Sequence, residues 1–257
     1  MTKTEKQKQV HGNIFKPVAD TEVLMPFGPV IVYKKLSEKF VNELNSHIDD
    51  NLHDHSDYLV GKVKQETRFS DEISKIFVNE LGGIVFEYYK FCYERGRMLP
   101  DSLPKDVDYQ LNIVNGWFVR QYANEYNPMH IHTNCSLSCV GYLSLPEKFE
   151  EECKEDYKDH HPSHGHIQFS NGSPNWLESA GFVAKPRVGD FYLFPSKLLH
   201  TVYPFYSEGE RRSFSVNMEV TQAAKDTVQK PRSNNTIEGQ KEKIIPEELK
   251  LKVLPIG

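Results

Sequence analysis

The sequence is short of cysteine, of long apolar runs and of positive charge, and each shortage argues against a class of protein. Four cysteines in 257 residues are too few for a disulfide framework, so we expect a reducing, cytoplasmic location. No run of about 18 apolar residues exists and the N-terminus lacks an apolar signal core, so we expect neither a membrane span nor ordinary secretion. Acidic residues outnumber basic ones by 36 to 31, and the net charge of −5 makes nucleic acid a poor partner.

What the chain does contain is typical of a globular protein with one large β domain or two small domains. Hydrophobic residues make up 38% and charged residues 26% of the chain, which excludes a wholly disordered or collagen-like protein. Histidine stands out, because seven of its eleven copies fall between His130 and His200. Side chains suited to metal binding or proton transfer are therefore concentrated in that segment.

The N-terminal part of the chain is predicted to be a flexible start, residues 1–19, followed by a strand and cover helices over residues 20–106. β-branched and aromatic residues around a Pro-Phe-Gly-Pro turn predict an early strand or hairpin over Thr21–Tyr33. Apolar residues at helical spacing after Ser37, a residue suited to cap a helix, predict the first helix. The second is predicted to begin at SDEISKIF and to run towards Cys92.

Short segments rich in β-branched and aromatic residues, separated by turns, dominate residues 107–220. This pattern predicts an antiparallel jelly-roll core, so the expected fold class is mainly β with some helix (α+β). The charged, histidine-rich segment Glu147–His164 interrupts the strands and is expected to be a loop or flap. Residues 221–257 are expected to form a polar linker and a weakly apolar C-terminal tail.

Three histidines are the first candidates for a functional site. His130 and His132 lie two residues apart in NPMHIHTN, and His200 opens a later predicted strand. Alternate residues of a strand point to one face, so the two imidazoles of the pair can converge on one cation. The pattern alone leaves open that these histidines are only solvated or hydrogen-bonded, since the same spacing occurs at His53 and His55.

The predicted strand that begins at Arg211 separates its side chains by polarity. One face carries Arg211, Ser213, Ser215 and Asn217, whereas the alternate residues from Phe214 onward are apolar. Such a strand either exposes its polar face to solvent or turns it into a wet interior cleft, and the pattern leaves both interpretations open.

The order of these motifs over residues 110–220 resembles the Fe(II)- and 2-oxoglutarate-dependent oxygenases. The motifs are H-x-H, a strand that ends in a tyrosine, G-D-x-x-x-F-P-S-x-x-x-H, and R-x-S-x-x-x-N, and the closer match is to the prolyl-hydroxylase-like branch. The resemblance implies a double-stranded β-helix with N-terminal cover helices, and Fe(II), 2-oxoglutarate and O2 as cofactor and cosubstrates. It also implies oxidative decarboxylation of 2-oxoglutarate coupled to hydroxylation of a C–H bond in a peptide side chain or small molecule.

The same resemblance implies a set of metal ligands. His130 and His200 match two ligands of the family, and His132 stands where the family usually has Asp or Glu. Three neutral imidazoles leave Fe(II) with a formal site charge of about +2, whereas a carboxylate reduces it to about +1. An alternative is that His132 turns away and leaves a two-histidine site. No catalytic residue is assigned beyond this metal centre.

A binding site for 2-oxoglutarate is also implied. Arg211 matches the arginine that grips the distal carboxylate, and bidentate pairing explains the use of arginine. Ser213 shares the face of Arg211 and is expected to bond the same carboxylate. Tyr142 matches a tyrosine that contacts this carboxylate, and Tyr122 matches another that lines the site. Arg212 is expected to point to the opposite face and to be structural.

Two other functions stay open from the sequence. One is a three-histidine, cupin-type dioxygenase that does not use 2-oxoglutarate, and the other is a jelly-roll binding module whose histidines are structural. A separate zinc site among His160, His161, His164 and His166, with Cys153, is a weaker alternative. The sequence assigns neither the substrate nor the oligomeric state.

Overall fold

The computed structural model describes residues 28–49, 61–97, 102–154, 163–173 and 179–224, which form ten strands and three helices. In chain order these are β1 (Val32–Lys35), α1 (Glu38–Ile48), β2 (Gln65–Arg68), α2 (Asp71–Arg97), β3 (Val107–Gln121), β4 (Asn127–His130), β5 (Leu137–Ser144), α3 (Phe149–Glu152), β6 (Ile167–Ser170), β7 (Gly181–Ala184), β8 (Asp190–Pro195), β9 (Leu199–Val202) and β10 (Arg211–Ala224). The prediction of a mainly β chain with few helices is confirmed.

The strands form two antiparallel sheets that pack face to face. The large sheet has the strand order β1-β8-β5-β10-β3-β2, and the small sheet has the order β4-β9-β6-β7. Between them lies an apolar cluster in which Tyr142, Tyr192 and Phe194 of the large sheet meet Ile167 and Phe169 of the small sheet. This packing of two antiparallel sheets is the predicted jelly roll.

The large sheet extends beyond the segment that the sequence assigned to the jelly roll, residues 107–220. Its two edges are β1, paired with β8, and β2, paired with β3, although both edge strands come from the predicted N-terminal region 20–106. At the other end of the chain, β10 continues to Ala224. Edge pairing depends on hydrogen bonds between distant segments, which local sequence patterns do not encode.

The two long helices match the two predicted ones. α1 begins after Ser37, whose hydroxyl accepts a hydrogen bond from the Phe40 N–H at 3.2 Å and so caps the helix. α2 continues to Arg97, five residues beyond the predicted end. An ion pair between Lys90 and Glu94, four residues apart with N and O at 4.0 Å, stabilises this last part of the helix.

The strand β10 separates the two environments of the large sheet. Its apolar residues Phe214, Val216 and Met218 belong to the core cluster that also contains the buried faces of both long helices. Its polar residues, among them Arg211 and Ser213, face the interior between the sheets. The predicted separation by polarity is confirmed, and the polar face lines an interior cleft rather than bulk solvent.

Several predictions fall on residues outside the described ranges. These are the N-terminus 1–19, most of the early strand, the centre of the flap at 155–162, and the tail from 225 onward. The described part of the predicted flap contains a short helix, α3, whose Phe149 packs on Phe205 with ring centroids 6.2 Å apart. Among the described helices, none combines the length and the apolar character needed to cross a membrane.

Candidate active site

Three histidines meet at the end of the small sheet. His130 ends β4 and is the register partner of His200 in β9, and His132 follows two residues later. The ligand nitrogens of all three lie within 4.8 Å of one another. Within the described parts of the chain, no other group of three His, Cys, Asp or Glu side chains comes this close. His132 therefore does not turn away from the other two.

The ring hydrogen bonds show which nitrogen is available on two of these histidines. The Nδ1–H of His130 donates to the Pro128 carbonyl at 2.7 Å, and the Nδ1–H of His200 donates to the Leu198 carbonyl at 2.8 Å. A carbonyl only accepts, so Nδ1 carries the proton in both rings and Nε2 keeps its lone pair. Backbone carbonyls often orient metal-binding histidines in this way. Both rings are therefore oriented with Nε2 free for a metal.

Burial keeps the three imidazoles neutral. Burial lowers the pKa of His130 below its usual 6.5, against a smaller opposing effect of the Pro128 carbonyl. Burial, followed by the proximity of His200 and His130, lowers the pKa of His132 to about 3. Burial and the neighbouring His130 lower the pKa of His200 to about 4. Neutral imidazole is the form that binds metals, so the cluster is in its binding form at neutral pH.

Aromatic side chains supply this burial. The Trp117 ring lies 5.8 Å from the His132 ring, and the Phe194 ring lies 4.9 Å from that of His200. Phe169 stands 6.1 Å from His200 and 5.0 Å from Phe194. Apolar walls remove water from the imidazoles, and loss of hydration disfavours their charged forms.

The histidines border a cavity of about 260 Å³ between the two sheets. The opposite wall is the large sheet, whose polar side chains point into the same space. These polar side chains include Asn115, Gln121, Tyr142, Arg211, Ser213 and Asn217. A cavity with apolar walls and a few converging polar groups is typical of a ligand-binding site.

Arg211 is the largest polar side chain in the cavity wall, and only 2% of it is exposed. Its Nη1 donates to the Gly165 carbonyl at 2.7 Å, and its Nη2 donates to Oε1 of Gln121. The guanidinium carbon also lies 5.8 Å from the Tyr142 ring and 5.7 Å from the Phe205 ring. Two neutral carbonyl groups and two aromatic faces therefore hold this side chain in one position.

The positive charge of Arg211 has no acidic partner among the described residues. Burial lowers the pKa of Arg211, and no nearby carboxylate opposes this effect. The Arg211 Nε and the Tyr142 hydroxyl are buried and make no hydrogen bond within the described chain. Burial raises the pKa of Tyr142 to about 12, so its hydroxyl stays protonated and able to donate. A buried cation beside an unused donor is suited to an anionic ligand.

Gln121 is a functional residue that the sequence interpretation missed. It is fully buried, and it is the register partner of Arg211 across β3 and β10. Its Nε2 donates to the Glu125 carbonyl at 2.5 Å, which leaves Oε1 for Arg211. One bond requires a donor and the other an acceptor, so the amide has a single orientation. The alternation of side-chain directions along β3 could have identified Gln121, because it places Gln121 on the same face of the strand as Trp117.

The expectation that Tyr122 lines the site is wrong for this cavity. Tyr122 follows Gln121, the last residue of β3, and is not among the residues that line the cavity. Ser213 lies on the cavity wall, as expected. Arg212 points away from the cavity, also as expected, and its guanidinium bonds Asp49 at 2.9 Å and Glu210 at 3.1 Å.

The alternative zinc site receives no support from the residues that are described. His160 and His161 lie outside the described ranges. The His164 Nδ1 lies 3.0 Å from the Glu152 carboxylate, and the His166 Nδ1 lies 2.6 Å from the His164 carbonyl. Both described histidines are thus engaged in local hydrogen bonds, away from the three-histidine cluster.

The fold and the site together define a class of protein. Neutral imidazoles are good ligands for first-row divalent metals, including Fe(II), and three of them leave coordination positions open. A buried guanidinium that has no acidic partner among the residues described selects a carboxylate. The donor set therefore fits a metal centre that works beside a carboxylate-bearing ligand, inside a two-sheet β protein.

Comparison with known families gives this class a name. Residues 115–217 match the family described as putative 2OG-Fe(II) oxygenase, and the matched segment contains the three histidines and Arg211. Through this segment the chain is similar to the 2OG-Fe(II) oxygenases, a family of oxidoreductases. No curated protein matches the chain.

Several solved structures are similar to the chain at low sequence identity. A prolyl-4-hydroxylase from Pseudomonas putida is 14% identical, and the match covers 74% of this chain and 92% of that chain with a TM-score of 0.43. An oxidoreductase of the 2OG-Fe(II) oxygenase family from Burkholderia pseudomallei is 12% identical, with 73% and 83% covered and a TM-score of 0.46. HygX from Streptomyces hygroscopicus, with nickel and 2-oxoglutarate bound, is 11% identical, with 74% and 82% covered and a TM-score of 0.46.

Proposed function

We propose that this chain is an Fe(II)-dependent oxygenase that couples oxidative decarboxylation of 2-oxoglutarate to hydroxylation of a C–H bond in a peptide side chain or small molecule. One observation carries the proposal. A cluster of three neutral histidines lines the same cavity as a buried guanidinium that has no acidic partner in the described chain. The match of residues 115–217 to the oxygenase family supports it.

In this proposal His130, His132 and His200 hold the iron. Bound Fe(II) supplies the redox chemistry that activates O2 and oxidises the substrate while 2-oxoglutarate is converted to succinate and CO2. The chain contributes unprotonated nitrogens at fixed positions, because the bonds to the Pro128 and Leu198 carbonyls restrain the rings of His130 and His200. The aromatic walls exclude bulk water from the cluster.

His132 gives the proposed site an unusual charge. Three neutral ligands leave a formal charge of about +2 at the metal, against about +1 with a carboxylate ligand. The cosubstrate 2-oxoglutarate is a dianion, so the additional positive charge strengthens its attraction to the site. The histidine at position 132 is therefore compatible with the proposed cosubstrate.

Arg211, Tyr142 and Ser213 bind the distal carboxylate of 2-oxoglutarate in this proposal. The Nη1 and Nη2 groups of Arg211 each use one N–H on a protein carbonyl, so the Nε–H and one further N–H on each are left for the ligand. The buried Tyr142 hydroxyl, which has no partner in the described chain, supplies another donor. Ser213 is the register partner of Tyr142 across β5 and β10 and lies beside it.

We also propose that the protein works in a reducing compartment such as the cytoplasm. All four cysteines are unpaired, although two of them, Cys135 and Cys139, lie only four residues apart and are both buried. Thiols remain in this state where glutathione keeps them reduced. The partner in this proposal is the substrate alone, with neither nucleic acid nor membrane.

A succinate assay tests the proposed function. The full-length protein is loaded with Fe(II), mixed with 2-oxoglutarate in air, and succinate is measured. We expect succinate only when both Fe(II) and 2-oxoglutarate are present. Arg211→Ala should raise the 2-oxoglutarate concentration for half-maximal rate by about 100-fold or more, because the carboxylate loses its buried partner. The matched control is Arg212→Ala, whose guanidinium lies outside the cavity and bonds Asp49 and Glu210.

Three results would contradict parts of this proposal. If Arg211→Ala needs the same 2-oxoglutarate concentration for half-maximal rate as the wild type, Arg211 does not bind 2-oxoglutarate. Oxygen uptake by the wild type that does not depend on 2-oxoglutarate would indicate a three-histidine dioxygenase of the cupin type. Failure of the purified protein to retain Fe(II), Mn(II) or Zn(II) in a one-to-one ratio would indicate a binding module.

A further inference from the structure

The cavity wall on the large sheet is a row of cross-strand pairs between β3 and β10. Side chains from both strands point into the cavity at every second residue, and the paired positions follow the strand register. In order along the wall the pairs are Gln121 with Arg211, Val119 with Ser213, Trp117 with Ser215, and Asn115 with Asn217. The arginine thus stands at one end of the row and the two asparagines at the other.

A ligand bound to Arg211 does not reach the asparagine end. Asn217 lies six residues from Arg211 on the same strand, which is about 20 Å at about 3.3 Å per residue. The five-carbon chain of 2-oxoglutarate, with bonds of about 1.5 Å, is less than half as long. The Trp117 pair lies between the two ends, and the His132 ring is 5.8 Å from the Trp117 ring. The histidine cluster therefore separates the arginine from the asparagines.

A β-bulge ends the row of cavity-facing pairs at Asn115. Asn217 pairs with Asn115, but the next residue, Met218, pairs with Ile113, so Val114 is an additional residue in β3. Ile113 points to the helix side of the sheet and belongs to its core. Without the bulge, simple alternation from Asn115 would turn Ile113 into the cavity as well. Bulges that redirect a side chain are common beside functional sites.

The two asparagines offer complementary hydrogen-bonding groups. The Oδ1 of Asn115 is buried and has no hydrogen-bond partner within the described chain. The Oδ1 of Asn217 accepts a hydrogen bond from the Ser138 hydroxyl at 2.9 Å, so its Nδ2 is the group that remains for a ligand. One acceptor and one donor on neighbouring strands match the N–H and C=O of an amide.

We propose that Asn115 and Asn217 form the subsite for the oxidised substrate and that this substrate carries an amide group, as a peptide or a carboxamide does. This inference rests on the proposed oxygenase function. The charged lining residues, Glu66 and Arg211, belong to rows nearer the other end, so the subsite selects a neutral polar group. Val114 and Ile131 line the cavity with 36% and 38% of their surfaces exposed, which provides apolar contact at its mouth.

Matched peptide probes test this proposal. The first set of probes consists of 20 Gly-Xaa-Gly tripeptides, one for each amino acid Xaa, with an acetylated N-terminus and an amidated C-terminus. The second set consists of the 20 free amino acids. Succinate above the substrate-free level is measured. We expect at least one capped peptide to raise succinate formation tenfold or more over its free amino acid. Replacing the amide N–H of that peptide by an ester oxygen should lower kcat/KM by about tenfold to 100-fold, because Asn115 then stays unpaired.

Variants assign the effect to the two asparagines. The Kd of the best peptide is measured by calorimetry on the protein loaded with Mn(II) and 2-oxoglutarate. Asn115→Ala and Asn217→Ala should each raise this Kd about tenfold or more. The matched control is Asn112→Ala on the same strand, because the Asn112 amide bonds the Thr221 hydroxyl at 3.0 Å and is not part of the cavity wall.

The outcomes separate the subsite from the oxygenase function. Protein that binds no 2-oxoglutarate refutes the proposed function itself. Two outcomes overturn the subsite in protein that binds 2-oxoglutarate and forms succinate. In the first, the amide peptide and its ester analogue give the same kcat/KM. In the second, no capped peptide raises succinate formation. Equal Kd values for the wild type and both asparagine variants overturn it as well. Thermal melting with and without 2-oxoglutarate identifies any variant that fails to fold, and Asn115→Leu, which lacks the acceptor, or Asn217→Asp, which lacks the donor, then replaces it.

Discussion

The position of the Arg211 guanidinium depends on the neutral amide of Gln121. A glutamate at this position would have almost the same shape, but it would neutralise Arg211 inside the protein. We expect Gln121→Glu to weaken 2-oxoglutarate binding by about tenfold to 100-fold, because the internal carboxylate competes with the ligand carboxylate. Calorimetry with the Mn(II)-loaded protein measures this change.

A second ligand separates this electrostatic effect from general damage. 2-Oxobutyrate lacks the distal carboxylate, so its affinity should change much less than that of 2-oxoglutarate in Gln121→Glu. The control Gln65→Glu adds the same charge at an exposed position on β2 and should leave both affinities unchanged. An unaltered ratio of the two affinities in Gln121→Glu would show that Gln121 does not position Arg211 for the ligand.

His132 is the second side chain whose chemistry makes a definite prediction. Its neutral imidazole contributes one of three nitrogens to the cluster. Loss of a residue that only hydrogen-bonds to a ligand costs up to about 100-fold in metal affinity. His132→Ala removes a ligand itself, so we expect it to weaken Fe(II) binding by at least about 100-fold. His132→Asp supplies an oxygen ligand and should retain Fe(II) binding within about tenfold. Metal competition with a chelator measures both. His47→Ala, in α1, serves as the control, and Fe(II) affinity in His132→Ala equal to the wild type would show that His132 is not a ligand.

Above single side chains, the helix α3 anchors the loop that carries Phe205. The Glu152 carboxylate accepts hydrogen bonds from the N–H groups of Tyr206 at 2.9 Å and Ser207 at 2.8 Å, and from His164 at 3.0 Å. Burial by itself raises the pKa of Glu152, but these hydrogen bonds outweigh burial and lower it below its usual 4.5. The anchored loop in turn places the Phe205 ring against Arg211.

This anchor predicts a specific dependence of stability on pH. A carboxyl whose pKa is lower in the folded state stabilises the fold above its unfolded pKa, and the contribution is lost as pH falls through the folded value. We expect Glu152→Gln to lower the free energy of unfolding at neutral pH by about 1–3 kcal/mol, with the difference from the wild type shrinking below about pH 4.5. Urea unfolding across this pH range measures it.

The neighbouring Glu150 provides the control for this experiment. Its carboxylate is half exposed and pairs with Lys185 at 2.6 Å on the surface. Glu150→Gln should therefore change stability by less than about 1 kcal/mol at any pH. A difference between Glu152→Gln and the wild type that does not vary with pH would refute the assigned effect of the Glu152 charge.

For the molecule as a whole, Phe214 joins the helices to the sheet that carries the site. Its ring lies 6.4 Å from Phe40 of α1, 6.1 Å from Phe77 of α2 and 6.3 Å from Phe69. An added Cβ at Gly141 would collide with the same ring, so the packing has no spare room there. The core on this side determines the position of β10, whose other face carries Arg211.

The central position of Phe214 predicts a large loss of stability on truncation. Phe214→Ala should lower the free energy of unfolding by about 3–5 kcal/mol, because the cavity left behind is surrounded by rigid elements. Val183→Ala, at an exposed position, should change it by less than about 0.5 kcal/mol. Urea denaturation compares the two, and a loss of under about 1 kcal/mol for Phe214→Ala would contradict the packing described here.

Local patterns in the chain were enough to predict the two long helices, the strands of the jelly-roll core and part of the candidate site, but neither β2 nor the short helix α3. Helical spacing and the cap at Ser37 located α1, and alternation of polarity along β10 placed Arg211 and Ser213 on one face. These features are short-range, because a strand or helix repeats its side-chain directions every two or 3.6 residues. The ordered motifs also led to the oxygenase family, although the ligand assignments of the histidines stay predictions.

Contacts between distant segments were decided only when the chain folded. Gln121 bonds Arg211 across 90 residues, β1 joins the sheet through β8, and the bulge at Val114 turns Ile113 into the core on the helix side. Each of these depends on strand register, which is fixed by the pairing of whole strands and not by any residue alone. Tyr122 was assigned from the family resemblance, and a match of residue types along the chain does not fix which side chain the strand register turns into the cavity.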